Sequence, residues 1–429
     1  MNNWAPITGA FLFIDTFVYM RRVQIEEFMK ESNGALLLDV RSPAEYTHAH
    51  IPGAISFPLF TDDERKVVGT AYKQQSREHA IKIGLDYFGP KMRGMVEEVE
   101  KLVGSWQLAV ATKGANSQSR NEFLLTESLS GSSSQIVASD TIANCQSPAA
   151  SSVFVYCWRG GMRSGAVSWL LSMYGFKVTV LAGGYKAFRN HVLKSFERPY
   201  AFKILGGYTG SGKTEVLQQL QQGGEAVIDL EGLACHKGSA FGSINMPAQP
   251  SQEMFENKLS MELGKLRDEG SMENNEIEAT AINGQLSTAN SSSLGVWLED
   301  ESQRIGNLNI PGSFWNVMRS SPIYFLDIPF EERLQHITEE YSQCEKEKLS
   351  GAIERIKKRL GPLETKTALQ HLEENNVKEC FRILLNYYDK HYLKGLHSRQ
   401  NLDVLLTNVR CNAVTPENAS LVSSTGITQ

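Results

Sequence analysis

Short apolar runs alternate with amphipathic stretches along most of this chain, a pattern typical of the strands and helices of α/β proteins. Residues 35–40 (ALLLDV) predict a buried strand, and a turn at 50–54 (HIPGA) leads into a second short strand at 55–58. The alternation continues to residue 184. We therefore predict a first unit built on a mainly parallel sheet.

A second α/β unit begins near residue 200 in the same way. Three of its apolar runs end in aspartate, at 226–229 (AVID), 295–300 (GVWLED) and 323–327 (IYFLD). P-loop folds place metal-associated acids at the carboxyl ends of parallel strands. Asp229, Asp300 and Asp327 are candidates for that role, and an ordinary strand-end aspartate is the equal alternative for each. From residue 331 to about 396 the pattern is helical.

Two stretches rich in Ser and Asn interrupt these units and show little periodicity, which is typical of disordered insertions. We predict a first domain over 1–195 with a disordered insert at 105–152. We predict a second domain over 196–400 with an insert at 272–294. The polar residues 409–429 predict a disordered tail.

Cys157 stands between an apolar run, 153–156 (VFVY), and an apolar-periodic stretch, 165–175, in the segment CWRGGMRS. A strand that delivers a cysteine to the start of a helix places the thiol near free N–H groups and the positive end of the helix dipole. Such surroundings stabilise a thiolate, and the same loop can bind an anion. We predict that Cys157 is a catalytic nucleophile rather than a buried structural cysteine. Its anion loop comprises Trp158, Arg159, Gly160, Gly161, Met162, Arg163 and Ser164.

A second loop of phosphate-binding type follows the apolar run 202–205. The segment GGYTGSGKT fits G-x-x-x-x-G-K-[ST] between a predicted strand and a predicted helix, the context that this motif requires. Glycines let backbone N–H groups approach phosphate oxygens, the lysine neutralises charge, and the threonine can hold Mg²⁺. If a metal is used, we expect it at Thr214 and Asp229. The predicted diphosphate site comprises Gly207, Gly210, Ser211, Gly212, Lys213 and Thr214.

The composition is that of an ordinary globular protein, with 41% hydrophobic and 21% charged residues over 429 positions. The net charge of −5 gives no overall attraction to nucleic acid, so an RNA site must be a local basic patch. The candidates lie on a predicted helix, whose alternative role is a solvated face, and are Arg355, Lys357, Lys358 and Arg359.

Six scattered cysteines without a C-x-x-C pair indicate a reducing compartment. No apolar run reaches the length of a membrane span. The apolar stretch near the amino terminus has neither the charge order of a secretory signal nor the composition of a transit peptide. We expect a cytoplasmic protein without a membrane partner, with an organelle as the alternative.

Taken in their order along the chain, the motifs resemble those of a known family. The first unit, with DVRSPAEY, HIPGA, the cysteine loop and LAGGYKAF, resembles a rhodanese-like domain. Six segments together are similar to the tRNA 2-selenouridine synthase family from about residue 36 to 392, the two inserts excepted. These segments are DDERKVVGTAYKQQSREHAIKIG, CWRGGMRS, GGYTGSGKT, LACHKGSAFG, QPSQEMFEN and WLEDESQRIG.

This resemblance implies a rhodanese-like parallel-sheet domain, then a P-loop NTPase-like α/β domain and a C-terminal helical segment. It implies an enzyme that replaces the sulfur of wobble 2-thiouridine in tRNA with selenium from selenophosphate. The route it implies passes through an S-geranyl intermediate made from geranyl diphosphate. We expect this diphosphate at the loop of residues 207–214, with ATP and Mg²⁺ as the alternative ligand. No tightly bound cofactor is expected, and whether Mg²⁺ takes part stays open. The motifs add further site candidates, namely Asp229, His236, Lys237, Asp300 and Arg304.

Three alternatives stay open. A rhodanese-type sulfurtransferase or a geranyl-2-thiouridine synthase would use no selenium. A C-x5-R phosphatase would share the spacing of Cys157 and Arg163, although Tyr156 stands where such phosphatases usually have histidine. Lys237 occupies a position where the family pattern predicts arginine, and lysine does not reproduce the two-pronged contact of arginine with phosphate.

Overall fold

The computed structural model describes residues 20–113, 152–268 and 295–425. These residues form two compact units that divide between His191 and Val192. The predicted insert at 272–294 and most of the insert at 105–152 lie outside the described residues. Within the described ranges, no helix combines the length and apolarity that a membrane crossing requires.

The first unit is a five-stranded parallel sheet in the order β1-β5-β4-β2-β3. Its strands are β1 (Met20–Val23), β2 (Leu36–Asp39), β3 (Ile55–Ser56), β4 (Ser152–Tyr156) and β5 (Lys177–Leu181). Its helices are α1 (Ile25–Ser32), α2 (Pro43–His48), α3 (Asp62–Gln74), α4 (Arg77–Phe88), α5 (Met92–Lys113), α6 (Met162–Tyr174) and α7 (Gly184–Ser195), with a 3-10 turn at Gly89–Lys91.

Every residue of β2 is buried, as the run LLLD predicts for a strand covered by helices on both faces. In β4 all residues after Ser152 are buried as well. Asp39 pairs in register with Tyr156, so the carboxyl ends of β2 and β4 lie side by side. The loops that follow these two strands therefore meet at one edge of the sheet.

The second unit also contains a five-stranded parallel sheet, in the order β12-β11-β6-β8-β7. Its strands are β6 (Phe202–Gly207), β7 (Val227–Ile228), β8 (Val296–Glu299), β11 (Ile323–Asp327) and β12 (Leu406–Arg410), and β9 (Arg304–Ile305) pairs with β10 (Leu308–Asn309) in an antiparallel hairpin. Around this sheet lie α8 (Lys213–Gln222), α9 (Leu230–Ala234), α10 (Gln252–Asp268), α11 (Gly312–Arg319), α16 (Leu402–Leu405) and α17 (Asn418–Thr425).

A helical subdomain occupies the chain between β11 and α16. It consists of α12 (Phe330–Tyr341), α13 (Lys346–Leu360), α14 (Pro362–Glu373) and α15 (Val377–His397). Their apolar faces share a core that includes Leu334, Ile353 and Phe381. The predicted α/β class with a C-terminal helical segment is confirmed.

Two boundary predictions are wrong. Residues 105–113 continue α5, and Ser152 begins β4, so the ends of the first insert belong to regular structure. The predicted disorder of 409–429 is contradicted over 409–425, because β12 and α17 form there. Val409, Ala419 and Val422 are buried in the core of the second sheet, which a composition-based prediction of disorder does not detect.

Candidate active site

Cys157 lies in the loop between β4 and α6, at the carboxyl edge of the first sheet. The residue is only 3% exposed. Its Sγ lies 3.3 Å from Ser164 Oγ, and that hydroxyl also donates to the carbonyl oxygen of Gly161 at 3.2 Å. The strand, the loop and the first turn of the helix thus hold the thiol in place.

Glycines allow a second segment to press against this loop. Gly184 has φ +58°, and a Cβ there would lie 2.2 Å from the carbonyl oxygen of Cys157. Gly160 has φ +62°, and a Cβ there would lie 2.4 Å from the carbonyl oxygen of Leu181. The N–H of Tyr185 donates to the carbonyl of Cys157 at 2.8 Å. The motif LAGGYKAF therefore supports the backbone of the cysteine loop.

A buried polar network ties the remaining motifs of this unit to β4. Arg41 is 1% exposed and binds Asp39, with Nη2 2.6 Å from Oδ2. Arg41 also donates to the carbonyl of Ala49 at 2.7 Å, and the Tyr156 hydroxyl donates to Asp39 Oδ2 at 2.8 Å. The N–H of Ile51 donates to the same hydroxyl at 3.1 Å. Every charged group here has partners, as burial requires.

The two arginines of the cysteine loop differ in their environments. Arg163 Nη1 lies 2.6 Å from Glu45 Oε2 and Nη2 lies 3.3 Å from Oε1, so the carboxylate holds the guanidinium. Burial alone would raise the pKa of Glu45, but the ion pair with Arg163 outweighs it and lowers the pKa to about 2. Arg159 is exposed. Within the described residues Arg159 has no carboxylate partner to displace, whereas Arg163 is held by Glu45.

This arrangement bears on the phosphatase alternative. In a C-x5-R phosphatase the arginine binds the phosphate through its guanidinium N–H groups, whereas here Glu45 already engages one N–H on each Nη of Arg163 and leaves only the remaining three for a phosphate. Sequence reasoning did not identify Glu45, although it lies within DVRSPAEY. Its capping box with Ser42 was the available signal, because a helix start places this side chain at the carboxyl edge of the sheet.

The phosphate-type loop joins β6 to α8 as predicted. Gly207, Gly210 and Gly212 all have positive φ. A Cβ on Gly207 would lie 2.5 Å from Ser211 Oγ, and one on Gly212 would lie 2.6 Å from Val414. Lys213 Nζ donates to the carbonyl of Gly207 at 3.3 Å, so its ammonium group folds back over the loop. This is a cradle of N–H groups for phosphate oxygens at a helix amino terminus.

Three carboxylates converge beside this loop. Oxygens of Glu231, Glu299 and Glu301 lie within 4.8 Å of one another. Thr214 Oγ1 donates to Glu299 Oε1 at 3.0 Å, while Glu299 Oε2 is buried without a hydrogen-bond partner among the described residues. Three clustered oxygens and a threonine hydroxyl suit a hard divalent cation.

Burial raises the pKa of each of these acids. For Glu299 the rise is large, and the neighbouring charges of Glu231 and Asp229 add to it. Burial and then Glu301 raise the pKa of Glu231 to about 8. Burial and then Glu299 raise the pKa of Glu301 to about 7. The cluster therefore holds protons at neutral pH unless a cation compensates its charge.

The aspartates predicted from strand ends have other contacts. Asp229 accepts the N–H of Gly232 at 2.7 Å and caps α9. Asp300 binds Arg399 and accepts the Tyr392 hydroxyl at 2.8 Å. Asp327 is exposed at the end of β11. Glu299 directly precedes Asp300 and is the acidic residue at this strand end that accepts the Thr214 hydroxyl.

Of the remaining motif candidates, His236 and Lys237 lie on a loop of the second unit and Arg304 begins β9. Lys237 pairs with Glu340. Burial works against the ammonium form of Lys237, but Glu340 outweighs it and the pKa is raised. His236 is buried, its Nδ1 has no partner among the described residues, and burial followed by the charge of Arg355 lowers its pKa. Arg304 is exposed and donates to the carbonyl of Gly306 at 2.9 Å.

The basic patch predicted for RNA lies on α13. Lys357 and Lys358 line an open groove of about 770 Å³ between α13 and α14. Lys357 Nζ lies 2.9 Å from Glu354, and Arg355 donates to the carbonyl of Ala240 at 2.8 Å. Arg359 is exposed. The RNA-binding role of these residues stays a prediction.

Comparison with known families agrees with this division of the chain. A model described as "Rhodanese-like domain" matches residues 24–83. A model described as "tRNA 2-selenouridine synthase AAA domain" matches residues 200–286 and 274–410.

Curated relatives match across both units. A protein of Bdellovibrio bacteriovorus named tRNA 2-selenouridine synthase is 30% identical over 88% of this chain and 93% of its own length. One of the same name from Serratia proteamaculans is 30% identical over 87% and 90%. Another, from Nitrosomonas europaea, is 30% identical over 80% and 72%.

Proposed function

Because this chain belongs to the tRNA 2-selenouridine synthase family, we propose that it replaces the sulfur of wobble 2-thiouridine in tRNA with selenium. In this proposal selenophosphate donates the selenium, and the reaction passes through an S-geranyl intermediate made from geranyl diphosphate. The partners are thus one RNA and two small phosphate-bearing molecules. Each unit contains one loop suited to such an anion.

The observation that carries the proposal is the thiol of Cys157 at the amino terminus of α6. Selenophosphate is a tetrahedral anion, and the first N–H groups of α6 together with Arg159 offer it donors beside Sγ. The ion pair of Arg163 with Glu45 holds the first turn of α6 in place. The Cys157 thiolate is a strong nucleophile and can attack the phosphorus of selenophosphate, so that an S–P bond forms, the P–Se bond breaks and selenide is released. Selenide then displaces geranyl thiol from C2 of the S-geranyl-2-thiouridine, and water hydrolyses the S-phosphocysteine to phosphate and the free thiol.

The loop between β6 and α8 is assigned to geranyl diphosphate. Attack by the thiocarbonyl sulfur on the first carbon of the geranyl group breaks a C–O bond, so negative charge develops on the departing diphosphate. Lys213 and the loop N–H groups are positioned to stabilise that charge. The unpartnered Glu299 Oε2 beside Thr214 fits Mg²⁺, with Glu231 and Glu301 as further ligands. When bound, Mg²⁺ would supply charge neutralisation for the diphosphate.

Nucleoside analysis by mass spectrometry tests the proposal. Purified protein is incubated with tRNA that carries wobble 2-thiouridine. Geranyl diphosphate alone should yield S-geranyl-2-thiouridine, and further addition of selenophosphate should yield 2-selenouridine. Accumulation of the geranyl product with no selenium product would favour the selenium-free alternative. The absence of both products from folded protein would refute the proposal.

A further inference from the structure

We propose that the hairpin of α3 and α4 is a tRNA-backbone surface adjoining the Cys157 loop, an inference that rests on tRNA being the substrate. The family resemblance assigns no role to this hairpin beyond its sequence motif. Its basic segment, residues 65–82, contains five basic residues and one acidic residue, Glu78. The segment carries a net charge of +4, and the other acidic residues of the hairpin lie at its two ends, so that α3 and α4 together carry no net charge. The basic side chains are thus concentrated in the middle of the hairpin, and a local patch of this kind can bind RNA in an acidic protein.

The hairpin contributes little to the core of its own unit. Ala71 is the one buried residue of the 13 in α3. In α4 the buried residues are Ala80, Gly84 and Phe88. A helix with so little buried surface leaves most of its side chains available to a partner.

The three lysines of this surface are not neutralised by carboxylates of the described residues. Lys66, Lys73 and Lys82 are exposed, and within the described residues none of them forms an ion pair. By contrast, Lys357 of α13 pairs with Glu354. Unpaired ammonium groups exchange only water and counterions for phosphate, so binding RNA there costs no internal salt bridge.

One face of α3 is shaped for close approach. Lys66 and Lys73 are seven residues apart and therefore lie on the same face of the helix. Gly69 and Thr70 lie between them, and a Cβ on Gly69 would meet no atom within 4 Å. The packing of the protein does not require glycine at this position. The face thus presents two lysines separated by small residues, which suits a phosphodiester backbone running between the lysines.

Exposed apolar side chains accompany these charges. Tyr72 also lies on α3 and is 51% exposed. Val67 is 45% exposed, and Leu85 of α4 is 59% exposed. Aromatic rings among basic residues are typical of RNA-binding surfaces, because unstacked bases pack against them.

Three contacts connect this surface to the cysteine loop. Asp62 at the start of α3 accepts the N–H of Ala44 at 3.0 Å and so joins α3 to α2. Arg65 Nε lies 3.6 Å from Glu45 Oε2, and the same oxygen binds Arg163. A tRNA strand held by α3 would therefore pass close to the loop that contains Cys157.

The double variant Lys66→Glu/Lys73→Glu tests this surface by equilibrium tRNA binding at several salt concentrations. We expect at least ~10-fold weaker binding and a salt slope reduced by roughly 1.5, since each phosphate contact contributes roughly 0.7–0.9. The matched control is Lys30→Glu/Lys101→Glu, which makes the same charge change at two exposed lysines of α1 and α5. The affinity of the control variant for tRNA should lie within about 2-fold of the wild-type affinity.

Thermal unfolding and the reaction of Cys157 with a small thiol reagent serve as checks on folding. If the charge reversals unfold the hairpin, the double variant Lys66→Ala/Lys73→Ala is used instead. The salt slope of its tRNA binding should fall by the same amount. Wild-type binding of tRNA together with unchanged affinity and slope in the folded double variant would overturn the proposed surface and leave the proposed function standing. If the wild type itself does not bind tRNA, the proposed function fails.

Discussion

Arg163 Nη1 and Glu45 Oε2 lie 2.6 Å apart, which places a carboxylate from α2 against the arginine of the candidate anion loop. The side chains are only 20% and 15% exposed. This ion pair positions the first turn of α6 and reduces the net charge near Cys157. Because Glu45 holds Arg163, anion binding by this loop depends mainly on its backbone N–H groups and on Arg159.

Glu45→Gln should destabilise the first unit by about 1 kcal/mol at pH 7, because Arg163 loses its charged partner. The pKa of Glu45 falls from 4.5 to about 2 on folding, so its stabilisation is complete above pH 4.5. It is lost as the pH falls from 4.5 towards 2. Urea unfolding of both proteins at pH 7 and pH 3 measures the difference, which should shrink at pH 3. An equal difference at both pH values would exclude the ion pair as its source.

Gly184→Ala should disrupt the cysteine loop. The new Cβ would lie 2.2 Å from the carbonyl oxygen of Cys157 in a backbone with φ +58°, so the loop must move. We expect a loss of stability of about 2 kcal/mol and slower reaction of Cys157 with a thiol reagent. Gly94→Ala on α5 is the control, since a Cβ there meets nothing within 4 Å. Normal stability and thiol reactivity in Gly184→Ala would show that the two segments are not tightly packed.

Glu231→Gln should stabilise the metal-free protein at pH 8 by about 2 kcal/mol. The pKa of Glu231 rises from 4.5 to about 8 on folding, so the wild type loses stability as the pH rises from 4.5 towards 8. Glutamine cannot ionise, and the two proteins should therefore unfold alike at pH 4.5. The same variant should bind Mn²⁺ at least ~10-fold more weakly, measured by electron paramagnetic resonance. Destabilisation at pH 8 would mean that Glu231 has a purely structural role.

Lys213→Ala should weaken geranyl diphosphate binding at least ~10-fold, because the diphosphate loses a charged donor. Calorimetry on the wild type and on the variant measures this effect, and Lys348→Ala on α13 is a control lysine exposed to solvent. The wild type should bind geranyl diphosphate more tightly than ATP with Mg²⁺. Micromolar binding of ATP without detectable binding of geranyl diphosphate would reverse the assignment of this loop.

The sequence was informative where function depends on a continuous segment. The strand, loop and helix around Cys157, and those around Lys213, follow from local patterns of apolar residues, glycines and charges. Contacts between segments that are far apart in the sequence cannot be predicted from such local patterns. Glu45 is 118 positions from Arg163, and Thr214 is 85 positions from Glu299.

Two further features show where local patterns stop. Asp300 stays a candidate from its motif, whereas the contact of the preceding residue, Glu299, with Thr214 could not be predicted from the sequence. The residues after 409 were predicted to be disordered because their composition is polar. Their few apolar side chains, Val409, Ala419 and Val422, are nevertheless buried against the second sheet.

The central claim is that the Cys157 thiolate releases selenide from selenophosphate, and single-turnover conversion by Cys157→Ser tests it most directly. The substrate is tRNA whose wobble 2-thiouridine already carries the S-geranyl group, so that only the step with selenophosphate remains. Serine keeps the size of the side chain but is a far weaker nucleophile, and we expect 2-selenouridine formation to fall at least ~100-fold while folding and tRNA binding are retained. Cys235→Ser is the matched control and should keep wild-type conversion. Full conversion by Cys157→Ser would contradict the account and place the selenium chemistry elsewhere in the protein.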